Sequence, residues 1–196
     1  MGVMGTLNAE LASFLLGILS SNKSVAYFKV AMQSVALISL ALNSINLILA
    51  PNVAMLYKKN NFKEMQYLLR NSVRLSSIVA LPFLLVLIFF SNFLVLTLFG
   101  DEYLPSVLII QILAIGQVFN VCMGSVNLIL NMTGNEKKAL RVISLTLIVT
   151  ALLMLTLIPL YQEVGAAVAA AVSMVMWNLL MAIDIYKTTK IKTWLH

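Results

Sequence analysis

The sequence predicts an all-α, polytopic membrane protein: a bundle of six transmembrane helices with one amphipathic helix at the headgroup boundary. Three observations predict it. Hydrophobic residues make up 61% of the 196, charged residues 10%, and the mean hydropathy is +0.99, against roughly 45–50% apolar and 25% charged residues in soluble domains. Apolar runs long enough for a bilayer core, which takes about 20 residues at 1.5 Å rise each, alternate with short polar breaks. Eleven of the thirteen Lys and Arg fall in alternate breaks or the tail, the bias that fixes membrane orientation.

The first span covers 4–20. Thr6, Glu10, Ser13 and Gly17 recur about one turn apart and share a face. Ser21 to Ser24 is a polar break. The second span, 25–57, is the longest apolar stretch before residue 60, and Pro51 is expected to bend its last turns. On a helical wheel, Lys29, Gln33, Ala36, Leu40, Asn43, Ser44 and Ala54 fall within about 60° of one another. Hydrocarbon solvates neither an ammonium nor a carboxamide, so this stripe must face other helices or a watery cavity.

Residues 61–74 place Phe62, Met65, Leu69 and Val73 at helical spacing, with Lys63, Arg70 and Arg74 on other faces. That is the pattern of an interfacial helix, leading into a third span over 75–90 that Pro82 should kink. The fourth span, 105–132, opens on proline, where a missing N–H costs nothing. Its Gly116, Gln117, Asn120, Gly124, Asn127 and Asn131 fall within an arc of about 100°, a close-packing seam or a cavity wall. The fifth span, 139–158, is stopped by Pro159. The sixth, 165–185, begins GAAVAAAVSM, small residues that let helix backbones approach closely. The tail is basic.

Six alternating spans put Lys58, Lys59, Lys63, Arg70, Arg74, Lys137, Lys138, Arg141, Lys187, Lys190 and Lys192 on one side, and Asp101, Glu102 and Glu163 on the other. Both termini and the basic loops are therefore expected in the cytoplasm. The net charge of +6 belongs to this asymmetry and not to nucleic acid. The N-terminal segment lacks the basic region of a cleavable signal peptide.

Chemistry-bearing residues are sparse. Cys122 is the single cysteine and His196 the single, terminal histidine, expected to be mobile and inert. Asp101 and Glu102 fall in an outer loop, and Glu10, Glu64, Glu136, Glu163 and Asp184 are dispersed. An enzyme acting on lipid phosphates needs clustered acids for magnesium or a positioned base. No catalytic residue, metal site or cofactor is expected.

Several fragments, in order, resemble the second half of the polysaccharide and lipid-linked oligosaccharide flippases of O-antigen type, in the multidrug/oligosaccharidyl-lipid/polysaccharide exporter superfamily. They are NAELASFLLG at 8–17, VAYFKVAM at 25–32, LAPNVAMLY at 49–57, LFGDEY at 98–103, ILAIGQVFN at 112–120, LILNMTGNEKKA at 128–139 and IPLYQEVGAA at 158–167. Ala26 and Gln162 stand where that pattern commonly has glycine. The resemblance implies two six-helix lobes around a cavity open alternately to either side, this chain being one lobe and its partner the N-terminal lobe or a second copy. It also implies a bacterial or archaeal plasma membrane, an undecaprenyl-pyrophosphate-linked glycan as substrate, and cation coupling. Two other readings stand beside it: a multidrug-type exporter, and an inactive fragment or assembly subunit.

Within this frame Lys29 either meets the carrier's pyrophosphate or snorkels to headgroups about one turn away. Glu10, mid-helix, is either an ion-coupling site or the structural partner of Lys29 or of a group in the other lobe. Gln33, Asn43, Asn120 and Asn127 either bind sugar hydroxyls or make interhelical hydrogen bonds. The basic residues at 58–74 fix topology and touch anionic lipid, or engage the carrier's phosphates at the entrance.

Overall fold

The computed structural model describes residues 3–191, which fold into helices joined by short turns, with no strand among them. The elements are α1 (Val3–Leu19), α2 (Asn22–Lys58), α3 (Phe62–Phe89), α4 (Ser91–Leu98), α5 (Ser106–Met123), α6 (Val126–Met132) and α7 (Glu136–Thr189), with a 3-10 turn at Asp101–Tyr103. His196 and Lys192 lie outside the described residues. Among the described residues three helices, α3, α5 and α7, are long and apolar enough to cross a membrane, or four if the bent α2 is one span.

Local chemistry sets the helix starts. The Ser21 side chain accepts from the Ser24 N–H at 3.2 Å and opens α2. Asn61 accepts from the Glu64 N–H at 3.3 Å and donates to its carboxylate at 2.6 Å, closing a reciprocal cap on α3. The α2 bend, 40°, falls between Asn22–Ser39 and Leu42–Lys58 rather than at Pro51. Beside Pro51, the Asn52 carboxamide donates to Ile48 O at 2.9 Å, a side-chain donor on the turn that proline weakens.

Three expected boundaries move. The stretches 61–74 and 75–90 are one helix, α3, whose buried residues Met65, Leu69, Val73, Ser76, Ala80, Leu84 and Leu87 run along a single face. Nothing between Arg74 and Leu75 interrupts the hydrogen-bond ladder. The 105–132 stretch is two helices, broken at Gly124, whose φ of 73° and ψ of −161° no helix accommodates. Pro159 does not stop the fifth stretch: helix continues to Tyr161, and the break comes at Gln162, with φ 50° and ψ −128°.

At that break α7 folds back on itself. Lys138 Nζ donates to Thr188 Oγ1 at 2.7 Å although fifty residues separate them. A Cβ on Gly165 would lie 2.3 Å from the Leu157 carbonyl oxygen. The limbs 136–161 and 163–189 are therefore antiparallel and pressed together at the turn.

The bundle has two ends. Tyr27 meets Tyr103 edge-on, ring centroids 6.1 Å apart, which puts the α1–α2 turn beside the acidic Asp101–Tyr103 turn. The opposite end gathers Leu56, Met65, Ala139, Ile185 and Ile191 in one apolar cluster, beside the exposed Lys58, Lys59, Lys63, Lys137, Lys187 and Lys190. A second cluster fills the first end, around Phe28, Leu84, Ile109, Leu113, Met154 and Ile158. Outside, Leu47, Ile78, Phe89 and Leu160 are 72–78% exposed, a surface suited to lipid and not to water.

Candidate functional site: a carboxamide cavity

Between the two apolar clusters lies a cavity of about 300 Å³. The α2 bend and the α5–α6 break meet there. From α2 come Ser39, Asn43 and Asn46, from α3 Ser76, from the break Asn120, Ser125, Asn127 and Asn131, and from α7 Trp177 and Asn178. Its polar lining is carboxamide, hydroxyl and indole, with no charged residue. Leu42, Val121, Val126 and Leu128 supply apolar wall.

Packing explains how carboxamides from separate helices meet. A Cβ on Gly116 would lie 3.2 Å from Ala171 Cα and from Met174 Sδ, so α5 and the second limb of α7 cross closely. One turn further along each helix, Asn178 Nδ2 donates to Asn120 Oδ1 at 3.1 Å and to the Met174 carbonyl at 2.7 Å. Asn120 Nδ2 in turn donates to Gln117 Oε1 at 3.0 Å. Across the cavity the Ser125 hydroxyl donates to Asn46 Oδ1, tying α2 to the break.

Two polar atoms in this wall are left over. Asn178, 1% exposed, has no partner for Oδ1, and neighbouring Trp177 has none for its buried indole N–H. Each unmet group costs about 1–3 kcal/mol. Both atoms are shielded within the wall itself.

Of the residues singled out in the sequence, Asn43, Asn120 and Asn127 line this cavity. Lys29, Gln33 and Glu10 do not: they are exposed on α2 and α1, away from it. The stripe divides because α2 bends before Asn43. The Leu40 side chain lies outside the described residues. Asn46, Asn178 and Trp177 were not anticipated. Asn46 follows Asn43 by one helical turn, and Asn178 is the single carboxamide in the second limb after Gln162, so both signals were present. Among the described residues no three His, Cys, Asp or Glu gather as metal ligands.

Comparison with known proteins adds a match of residues 1–108 to the model of a family described as polysaccharide biosynthesis protein. The chain belongs to the polysaccharide biosynthesis protein family. The matched segment holds α1, α2, α3 and the Asn43–Asn46 wall of the cavity. An uncharacterized membrane protein of Methanocaldococcus jannaschii is 25% identical over 177 residues, 89% of this chain. The match covers 34% of that relative, so the chain spans about a third of its length. This member of the polysaccharide biosynthesis family is a membrane protein.

Proposed function

We propose that the chain is one six-pass lobe of a flippase that exports undecaprenyl-pyrophosphate-linked oligosaccharide for surface polysaccharide synthesis, working with a second lobe. Counting α2, α3, each limb of α7, α1, and α5 with α6 as one pass apiece gives the six. The membrane is the plasma membrane of a bacterium or archaeon, with both termini in the cytoplasm. The observation that carries the reading is the cavity: nine carboxamides and hydroxyls converging between apolar helices match sugar hydroxyls, in a family named for polysaccharide biosynthesis. A polar cavity at a broken helix is where transporters hold substrate. The relative's greater length leaves room for a second lobe. Lys29, exposed on α2, is assigned to the carrier's pyrophosphate, and Glu10 to ion coupling.

Asp101 and Glu102 share the 3-10 turn, while Glu163 and Asp184 stand twenty-one positions apart on α7, a spread that suits transport rather than lipid-phosphate chemistry. Reconstituting the intact two-lobed transporter in vesicles, with a fluorescent lipid-linked oligosaccharide and a lipophilic cation dye as alternative cargoes, tests the proposal. Movement of the lipid-linked glycan between leaflets is the expected result. Dye efflux with no glycan movement would overturn it in favour of a multidrug-type exporter.

A further inference from the structure

We propose that the exposed flank of α3 at the basic end of the bundle, formed by Lys63, Tyr67, Arg70 and Arg74, is a docking surface for phospholipids with an anionic headgroup. The proposal needs only that the chain crosses a bilayer and is independent of what it transports.

The continuity of α3 carries the inference. Lys63, Tyr67, Arg70 and Arg74 are all exposed and fall within about 60° of one another on a helical wheel, while Met65, Leu69 and Val73 are buried against the bundle. Because α3 runs unbroken from Phe62 to Phe89, the same flank continues into Ile78, Leu85 and Phe89, which are 72%, 52% and 73% exposed. That apolar part meets lipid chains, so the basic part beyond it meets the headgroups of the same lipids. From Leu75 to Phe89 the helix carries no charge, which sets Arg74 at the hydrocarbon border. Arg70 lies about 6 Å further out along the axis, and both side chains reach the headgroup level by extending away from the apolar core.

Charge and spacing fit a phosphate. Glu64 is the one carboxylate on α3, and it accepts from the Asn61 carboxamide at the helix start. Arg70 and Arg74 stand one turn apart, about 6 Å between Cβ atoms, so two guanidinium groups can hold one phosphate between them. Arg74 also has a partner within the protein, and the five N–H donors of a guanidinium serve both. Tyr67, between Lys63 and Arg70, is the amphipathic ring favoured at headgroup depth. A charge bias that only orients the chain needs no periodicity, and Lys58 and Lys59, adjacent in the α2–α3 turn, have none. Cations recurring along one lipid-facing flank are what a lipid site adds to orientation.

The test titrates the full chain in detergent with phosphatidylglycerol or phosphatidylcholine, which share a phosphate and differ in net charge, and counts bound lipids by native mass spectrometry. Phosphatidylglycerol should bind at least about fivefold more tightly. Lys63→Gln/Arg70→Gln/Arg74→Gln should abolish that preference. Lys58→Gln/Lys59→Gln/Lys187→Gln, which deletes the same charge from the same end, should keep it. Arg70→Lys/Arg74→Lys retains the orienting charge and should retain part of the preference, since an ammonium lacks the fork. Equal losses in the two triple variants would reduce the effect to net charge and overturn the surface, as would the absence of any preference in the unaltered chain. Undecaprenyl pyrophosphate displacing phosphatidylglycerol from the unaltered chain at equimolar amounts would also overturn it, making the flank an entrance for the carrier.

Discussion

Asn178 donates its carboxamide to Asn120 at 3.1 Å, joining the second limb of α7 to the end of α5 just before the helix breaks at Gly124. Asn178 also holds the Met174 carbonyl, so this pair sets the geometry of the cavity wall. Asn120→Leu removes one acceptor and leaves half of that clamp. Interhelical hydrogen bonds of this kind contribute about 0.6 kcal/mol on average and up to about 1.7. The expected loss is about 1 kcal/mol, read as a lowered midpoint of thermal unfolding in detergent. A double-mutant cycle with Asn178→Leu should show non-additivity, because the two changes delete the same bond.

The reversal in α7 depends on Gly165. Any side chain there meets the Leu157 carbonyl at 2.3 Å, backbone that cannot rotate away. Gly165→Ala must push the limbs apart, at a cost of about 1–3 kcal/mol or more. Gly17→Ala is the contrast, since a Cβ there has nothing within 4 Å; it should be neutral or stabilise by up to about 1 kcal/mol. Unfolding midpoints of the two variants, measured side by side, separate a steric requirement from a general effect of losing glycine.

Gln162 is the residue that turns the chain, at φ 50° and ψ −128°, a region costly for any residue with a Cβ. The sequence resemblance has glycine at this position. Gln162→Gly should therefore stabilise the chain, by about 1 kcal/mol, although the same replacement inside a regular helix destabilises by a similar amount. A lowered unfolding midpoint in Gln162→Gly would contradict the turn.

These residues also show what the sequence disclosed. Apolar run length and the alternation of basic breaks were legible, because both report the solvent around each segment. The carboxamides of 120–131 were legible as a polar set, although it is the break at Gly124, and not continuous helical spacing, that sets Asn120 of α5 beside Asn127 and Asn131 of α6. The boundaries were not. Pro159 looks like a stop, yet it removes a single bond to the turn before it, and the chain turns three residues later at an ordinary glutamine. Gly124 sits in the arc as a small packing residue, and only its backbone angles show it to be a break. Asn178 stayed hidden because its meaning depends on Asn120, fifty-eight positions away.

Lys29 is exposed on α2, away from the cavity. If it holds the carrier's pyrophosphate, Lys29→Ala should reduce export by the intact transporter to background while insertion and abundance stay normal. Arginine in its place should restore part of the flux, since a guanidinium also binds phosphate. Near-normal export by Lys29→Ala would leave the side chain as an anchor in the headgroups.

Sidedness follows from the two ends of the bundle. Leu56 and Met65 share one apolar cluster with Ala139, Ile185 and Ile191, and Lys138 reaches Thr188, so residues near 60, 135 and 190 lie at one end. Tyr103 meets Tyr27 edge-on at the other end, which also holds the acidic pair Asp101 and Glu102. Single cysteines placed at 60 and at 135, in a chain with Cys122→Ala, should therefore be modified from the same face of a sealed vesicle by a membrane-impermeant maleimide, and a cysteine at 101 from the opposite face. If the basic end faces the cytoplasm, as proposed, an external reagent on intact cells should reach 101 alone. Labelling of 60 and 135 from different faces would require an odd number of crossings between them, which the shared cluster forbids.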